Sequence, residues 1–446
     1  MFEREILKEM RQWKMSEQHK PLVLRGARQV GKTTVVNQFS KEFSTFLSFN
    51  LDREEDRALF DRVLPFGDFV NTLFAMKQKR LDVSPALIFI DEIQNSPRAI
   101  SLLRYFKEER PDLYVISAGS LLENVVDLSA SFPVGRVEYM ALRPCSFREF
   151  ISALGQKNMA YFIDNPESSI AVHESMMSLF NQYVIVGGMP EAVSKYADKH
   201  DVMVLNSIYE TLLLGYKDDV EKYVRSGKLN EIVKFLIEKC WALAGQIVKL
   251  GGFGDSDYRA KEVGEAFRLL QKAMLLELVY PTTSTSVPAL GEMKRMPKLV
   301  MLDTGLTNYS AGIRRDLIGA TDILDVWRGH IAEQAVAQEL LTLNNKVSQK
   351  RCFWVKGRDG AEVDFVWTYN SRLFPIEVKN GRNSHLRSLH SFIEAAPIKT
   401  GIRVWSGPFS VDDVQTVLKK KPFRLINLPF YLVGNLEKIL EKYSLD

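Results

Sequence analysis

The tightest constraint in this chain is a short apolar run, Leu22-Val23-Leu24, followed at once by Gly26-Ala27-Arg28-Gln29-Val30-Gly31-Lys32-Thr33. Strand, then G-x-x-x-x-G-K-T, then a helical stretch from Thr34 to Phe43 predicts a phosphate-binding loop held between a strand and a helix. The glycines let the backbone curl until successive N–H groups face an anion, and the helix offers its positive end to the same place. Lys32 adds a point charge for β- and γ-phosphates, and the Thr33 hydroxyl suits Mg²⁺. Contacts to a nucleoside triphosphate are therefore expected from Gly26, Ala27, Arg28, Gln29, Val30, Gly31, Lys32, Thr33 and Thr34.

Ala86-Leu87-Ile88-Phe89-Ile90 runs without polar interruption into Asp91-Glu92. An apolar strand with no alternation is buried on both faces, as in a parallel sheet covered by helices. Asp91 at its end is placed to support Mg²⁺, and Glu92 to activate an attacking water. A third short strand, Tyr114-Val115-Ile116, ends in Ser117-Ala118-Gly119-Ser120, and Ser117 or Ser120 is a candidate sensor of the γ-phosphate. The three segments together indicate an ATPase that uses ATP and Mg²⁺, with Glu92 and Lys32 as its catalytic residues.

With 446 residues, two or three domains are expected. A net charge of +4, from 59 basic and 55 acidic residues, does not by itself argue for nucleic acid. Cys145, Cys240 and Cys352 are too scattered for a disulfide framework or a zinc ligand set. A charged N-terminus and the lack of a long apolar run make a cytoplasmic protein the default expectation, with no membrane partner.

Four regions follow. Residues 1–150 alternate short strands and helices, the pattern of an α/β domain with a parallel sheet, and residues 1–20 read as an amphipathic helix leading into it. Residues 151–225 read as an all-helical, lid-like region broken at Gly187-Gly188-Met189-Pro190. Residues 226–310 read as a winged helix, whose second helix puts Val263, Phe267, Leu270 and Met274 on one stripe and Arg259, Lys261, Arg268 and Lys272 outside it. That second helix is either a DNA-reading element or part of a packing module with a solvated basic face. Residues 311–446 form a further α/β region.

This last region holds a second constellation. Asp364 lies in a strand of apolar neighbours, and Glu377 and Lys379 share one face of the next strand, Phe374 to Lys379. Upstream, the stretch from Gly329 to Leu341 is expected to be a helix, with Glu333 on the face that Val336, Ala337 and Leu340 would bury. A carboxylate there needs a partner. A helical Glu, a strand Asp and a Glu-x-Lys are the elements of a PD-(D/E)XK nuclease core. In such a core Glu333, Asp364 and Glu377 would hold a divalent metal, with Asp364, Glu377 and Lys379 catalytic. Arg382, Arg387 and the run Lys419-Lys420-Lys421 are candidate phosphate-backbone contacts. Edge strands also carry Glu and Lys for solubility alone.

Taken with Gly135-Arg136, Leu142-Arg143-Pro144-Cys145-Ser146-Phe147-Arg148-Glu149-Phe150 and Gly187-Gly188-Met189-Pro190, these motifs make the chain resemble, over nearly its full length, the bacterial and archaeal AAA+-type ATPases, STAND-like and archaeal in kind, that carry a conserved C-terminal domain of unknown function. The resemblance implies a P-loop domain, a helical lid, a winged helix and a restriction-endonuclease-like C-terminal domain. It also implies that Arg136 reaches the γ-phosphate as a sensor or finger, or else pairs on the surface, and that Arg28 contacts phosphate or caps the strand. Cys145 departs from the family's usual small or apolar residue and is expected only to pack. Two readings of the whole chain stay open. In one, ATP hydrolysis gates a nuclease acting on DNA or RNA. In the other, an ATP-driven switch has a C-terminal domain that binds nucleic acid or a protein partner without cutting.

Overall fold

The computed structural model describes residues 2–119, 135–223, 227–313, 330–343, 345–347, 351–357, 360–379 and 385–445. The chain divides into two compact units, one of residues 3–143 with 345–348, the other of residues 144–344 and 349–446 together with residues 1–2.

In the first unit, five strands form one sheet: β1 (Leu22–Arg25), β2 (Thr45–Asn50), β3 (Ala86–Asp91), β4 (Tyr114–Gly119) and β5 (Glu138–Ala141). All its pairings are parallel, in the order β2-β3-β4-β1-β5. Every residue of β3 is buried, as its uninterrupted apolar sequence requires, whereas β2 at the edge alternates buried with less buried positions. The helix between β3 and β4 runs from Pro97 to Glu109. Ser96 caps it by accepting from the Ala99 N–H at 3.1 Å, and proline suits the first helical position. Because the strands are parallel, β1 and β3 both end at one edge of the sheet, and the glycine loop and the Asp91-Glu92 pair meet there.

The second unit opens with helices. Phe147–Ala153 begins in a reciprocal cap between Ser146 and Glu149, and His173–Val186, Pro190–Lys199 and Asn206–Tyr223 follow. The break at Gly187-Gly188 has a specific cause. The buried carboxylate of Asp303 accepts from the N–H groups of Gly188 at 2.5 Å and Leu306 at 2.9 Å, with those of Met189 and Gly305 beside it. Gly187 has φ +71°, and a Cβ there would lie 2.4 Å from an Asp303 oxygen. The double glycine is therefore the wall of a carboxylate nest.

Two more helices, Gly227–Lys239 and Ala260–Lys272, precede the second sheet; Val263, Phe267 and Leu270 are buried as the stripe predicted, and Met274 lies past the helix end. That sheet is mixed and has eight strands: β6 (Leu276–Thr282), β7 (Lys298–Met301), β8 (Cys352–Val355), β9 (Glu362–Tyr369), β10 (Arg372–Lys379), β11 (Thr400–Trp405), β12 (Ser410–Gln415) and β13 (Pro422–Pro429). The order β12-β13-β11-β10-β9-β8-β6-β7 makes residues 276–301 one continuous sheet with residues 352–429. The helix His330–Thr342 is buried almost all round. Its Gln334 side chain accepts from the Met301 N–H and donates to the Met301 carbonyl, both at 2.8 Å, and Gln338 accepts from Thr304 N–H at 2.8 Å. Side-chain amides thus bond this helix to the backbone of β7 and the turn after it, which sets Glu333 over Lys298.

Candidate functional site

The glycine loop is built by close approach and left-handed backbone. A Cβ on Gly26 would sit 2.5 Å from the Leu142 carbonyl oxygen, so only glycine fits against that segment. Gly31 at φ +93° turns the chain into the helix Lys32–Phe39, and Gln29 takes φ +63° without being glycine. Arg4 braces the loop from behind, donating to the Val30 carbonyl at 3.0 Å and the Arg143 carbonyl at 2.7 Å. Leu142 N–H donates to the Arg25 carbonyl at 2.7 Å. The Leu142-Arg143 motif therefore buttresses the loop from the far side of the sheet sequence, and Arg4, which the sequence did not single out, completes the support.

The reactive groups converge. Lys32 is buried, and its ammonium lies at the heart of the loop, donating to the Gly26 and Ala27 carbonyls at 3.0 and 2.9 Å. Thr33 donates through Oγ1 to Asp91 Oδ2 at 2.7 Å, which brings together the hydroxyl and carboxylate that suit Mg²⁺. Arg28, Gln29, Thr33 and Thr34 are exposed on the loop's outer side. Glu92 has φ +52°, a costly backbone for a non-glycine residue and a common one at working sites. Its carboxyl is held above the usual range by burial, while a hydrogen bond from Gln94 and the charge of Lys32 pull the other way. The donor set fits a magnesium nucleotide.

Two other candidates lie elsewhere. Ser117 is fully buried within the sheet, and its hydroxyl donates to the Leu22 carbonyl at 3.4 Å. Arg136 is 48% exposed and pairs at 3.2 Å with Glu108, which also pairs with Arg104 at 2.9 Å. Ser120 and Arg382 lie outside the described residues.

In the second unit, the structure brings Glu333, Asp364, Glu377 and Lys379 into one neighbourhood, with Lys298 and Glu362 added to them. The Lys298 ammonium lies 2.6 Å from Glu333, 3.3 Å from Glu362 and 3.6 Å from Asp364, and its side chain is only 3% exposed. The rings of Phe353 and Phe365 flank it at 5.2 and 5.6 Å. Asp364 also accepts from the Val378 N–H at 2.7 Å. Lys379 pairs with one Glu377 oxygen at 2.7 Å, and the other oxygen of that buried carboxylate has no hydrogen-bond partner. Burial and the nearby Asp364 charge push Glu377 up to about 8 and Glu333 up to about 7.

Lys298 was not anticipated as a site residue. The signal was present: one lysine opening a strand whose other residues, Leu299-Val300-Met301, are all apolar. A long cation in such a strand implies a buried anion.

The expected metal ligands Glu333 and Asp364 thus share an ammonium, which stands where their metal would. A divalent ion bound to the same oxygens would lie roughly 4 Å from Nζ. At an effective dielectric of about 20, that repulsion is on the order of 8 kcal/mol. Among the described residues, no group of three or more His, Cys, Asp or Glu is arranged to hold a metal. The arrangement does not fit a metal at Glu333 and Asp364.

The basic run is divided in its roles. The Lys421 ammonium donates to the carbonyls of Ile393, Ala396 and Ile398 at 2.7, 2.6 and 3.3 Å, which closes the C-terminal end of the helix Arg387–Ala395. Lys421 is therefore committed to the fold, whereas Arg387, Lys419 and Lys420 are exposed.

Residues 18–151 match a family described as an AAA domain. Residues 177–317 match a domain of unknown function (DUF8612), and residues 328–423 match another (DUF4143). No curated protein matches the chain. Among solved structures, the Walker-type ATPase PABY2304 of Pyrococcus abyssi is 16% identical, with TM-score 0.45 over 70% of this chain and 96% of that one. The ORC1 protein of Aeropyrum pernix, in complex with DNA, is 12% identical, with TM-score 0.26 over 70% and 93%. The AAA match spans the parallel sheet and its glycine loop, and the first unit has an α/β, P-loop ATPase-like fold. Among the described residues no helix is long and apolar enough to cross a membrane.

Proposed function

We propose that this protein binds ATP with Mg²⁺ at the glycine loop, hydrolyses it, and uses the cycle to change the conformation of its nuclease-like C-terminal region, which acts on nucleic acid. The observation that carries the reading is the convergence of Lys32, Thr33, Asp91 and Glu92 at one edge of the sheet. Backbone N–H groups of residues 26–33 would cradle the phosphates, with Lys32 exchanging its two loop carbonyls for phosphate oxygens. Thr33 and Asp91 would hold Mg²⁺, which when bound supplies charge neutralisation at the phosphates. Glu92 is the residue placed to take a proton from water, and its raised pKa makes it a better base than an ordinary carboxylate. Gln94 keeps that carboxylate oriented.

ATP turnover and nucleotide binding by purified variants test this directly. Lys32→Ala should bind ATP at least about a hundredfold more weakly, while Glu92→Gln should bind normally and turn over at least about a hundredfold more slowly. Normal turnover by Glu92→Gln would remove Glu92 from the role of base.

A second reading, in which the C-terminal region binds a partner without cleaving it, is favoured by Lys298. Exposed Arg387, Lys419 and Lys420 would supply phosphate contacts in either reading, as would Lys261 and Arg268 on the outer face of the helix Ala260–Lys272 and Arg259 at its N-cap.

A further inference from the structure

Three carboxylates from two elements meet one ammonium from a third in the second unit: Glu333 from a helix, Glu362 and Asp364 from β9, and Lys298 from β7. We infer that Lys298 is the permanent cation of this cluster, so that the C-terminal region uses its nuclease-like scaffold without a divalent metal and does not cleave phosphodiesters by a metal-bound water.

Lys298 hydrogen-bonds a Glu333 oxygen at 2.6 Å and lies within ion-pair distance of Glu362 and Asp364, at 3.3 and 3.6 Å, so its charge already serves carboxylates that a metal would need. The ammonium is locked in place. Its strand pairs with β6 on one side, through Val279 opposite Lys298, and with Ile247 on the other. Two aromatic rings enclose the side chain. The helix bearing Glu333 is tied to the same strand by Gln334. Lys379 pairs with Glu377, two residues before it on β10, at 2.7 Å. Two ammonium groups thus serve four carboxylates, with charges drawn wholly from the chain. One feature pulls the other way: the second Glu377 oxygen is buried and without a partner. The test therefore includes Glu377.

The inference is independent of the ATP site, and nucleotide-free full-length protein is the right material. Mn²⁺ binding followed by electron paramagnetic resonance would compare the wild type with Asp364→Asn, Glu377→Gln and Lys298→Met. Wild type, Asp364→Asn and Glu377→Gln should titrate alike, because none has a metal site in the cluster. Lys298→Met should gain one Mn²⁺ site, and Lys298→Met combined with Asp364→Asn should lose it again. Wild-type Mn²⁺ binding that weakens about tenfold or more in Asp364→Asn or Glu377→Gln would overturn the inference. So would a folded Lys298→Met that gains no site. If Lys298→Met does not fold, plasmid and single-stranded DNA incubated with Mg²⁺ or Mn²⁺ still decide the matter. Cleavage by the wild type that Asp364→Asn abolishes refutes the inference, and no Asp364-dependent cleavage upholds it.

Discussion

Glu92 combines a left-handed backbone, partial burial and a single amide partner, and each of these bears on its chemistry. Because burial raises its pKa, the acid limb of the ATP turnover profile should lie above the ordinary carboxylate range. Gln94→Ala removes the hydrogen bond that favours the ionised form, so the limb should move to higher pH; a limb that stays put would show that Gln94 does not tune Glu92. Asp303 is the corresponding buried acid of the second unit, pushed up to about 6 by burial against the pull of four backbone N–H groups. Asp303→Asn turns an amide N–H₂ toward those donors and should destabilise by about 2–4 kcal/mol, read from denaturant midpoints. Gly187→Ala should have a comparable effect because it combines a clash with a positive φ. A neutral result for both would show that the nest contributes little.

Among elements, the parallel strands and the glycine loop were legible because their signals are local: an apolar run, a glycine spacing, an acidic pair at a strand end. The expected helix at 329–341 is His330–Thr342. Its Glu333, expected to need a partner, finds one in Lys298. What could not be read was the joining of β6 and β7 to the strands from Cys352 onward, since strand order depends on contacts between segments more than fifty residues apart. The role of Lys421 was hidden for a similar reason. Three consecutive lysines look alike in sequence, and only the fold turns one of them onto three carbonyls.

For the molecule as a whole, the cluster around Lys298 makes a statement about pH. Glu333 and Glu377 have folded pKa values near 7 and 8, well above those of an unfolded chain, so folding takes up protons between roughly pH 4.5 and 8. Their contribution to stability is complete below about pH 4.5 and is lost as pH rises through 7 and 8. Thermal unfolding of the full chain from pH 5 to 9 should show the transition of the second unit falling from about pH 5 to 8 and level above that. The change should be on the order of a few kcal/mol and clearly smaller in Glu377→Gln, where Glu333 alone carries it. Parallel curves for wild type and variant would show that Glu377 is not the titrating group.

The glutamine contacts to β7 have one more effect. β7 ends the eight-stranded sheet, yet its outward groups are occupied: Leu299 exchanges bonds with Gly245 and Gln246, and Met301 with Gln334. At the opposite end β12 carries exposed Asp412 and Asp413. One border is covered by the chain's own amides and the other carries negative charge, two familiar guards against strand-by-strand addition of further copies. One border of this sheet is thus covered by the chain itself, and the other leaves β12 as its open edge.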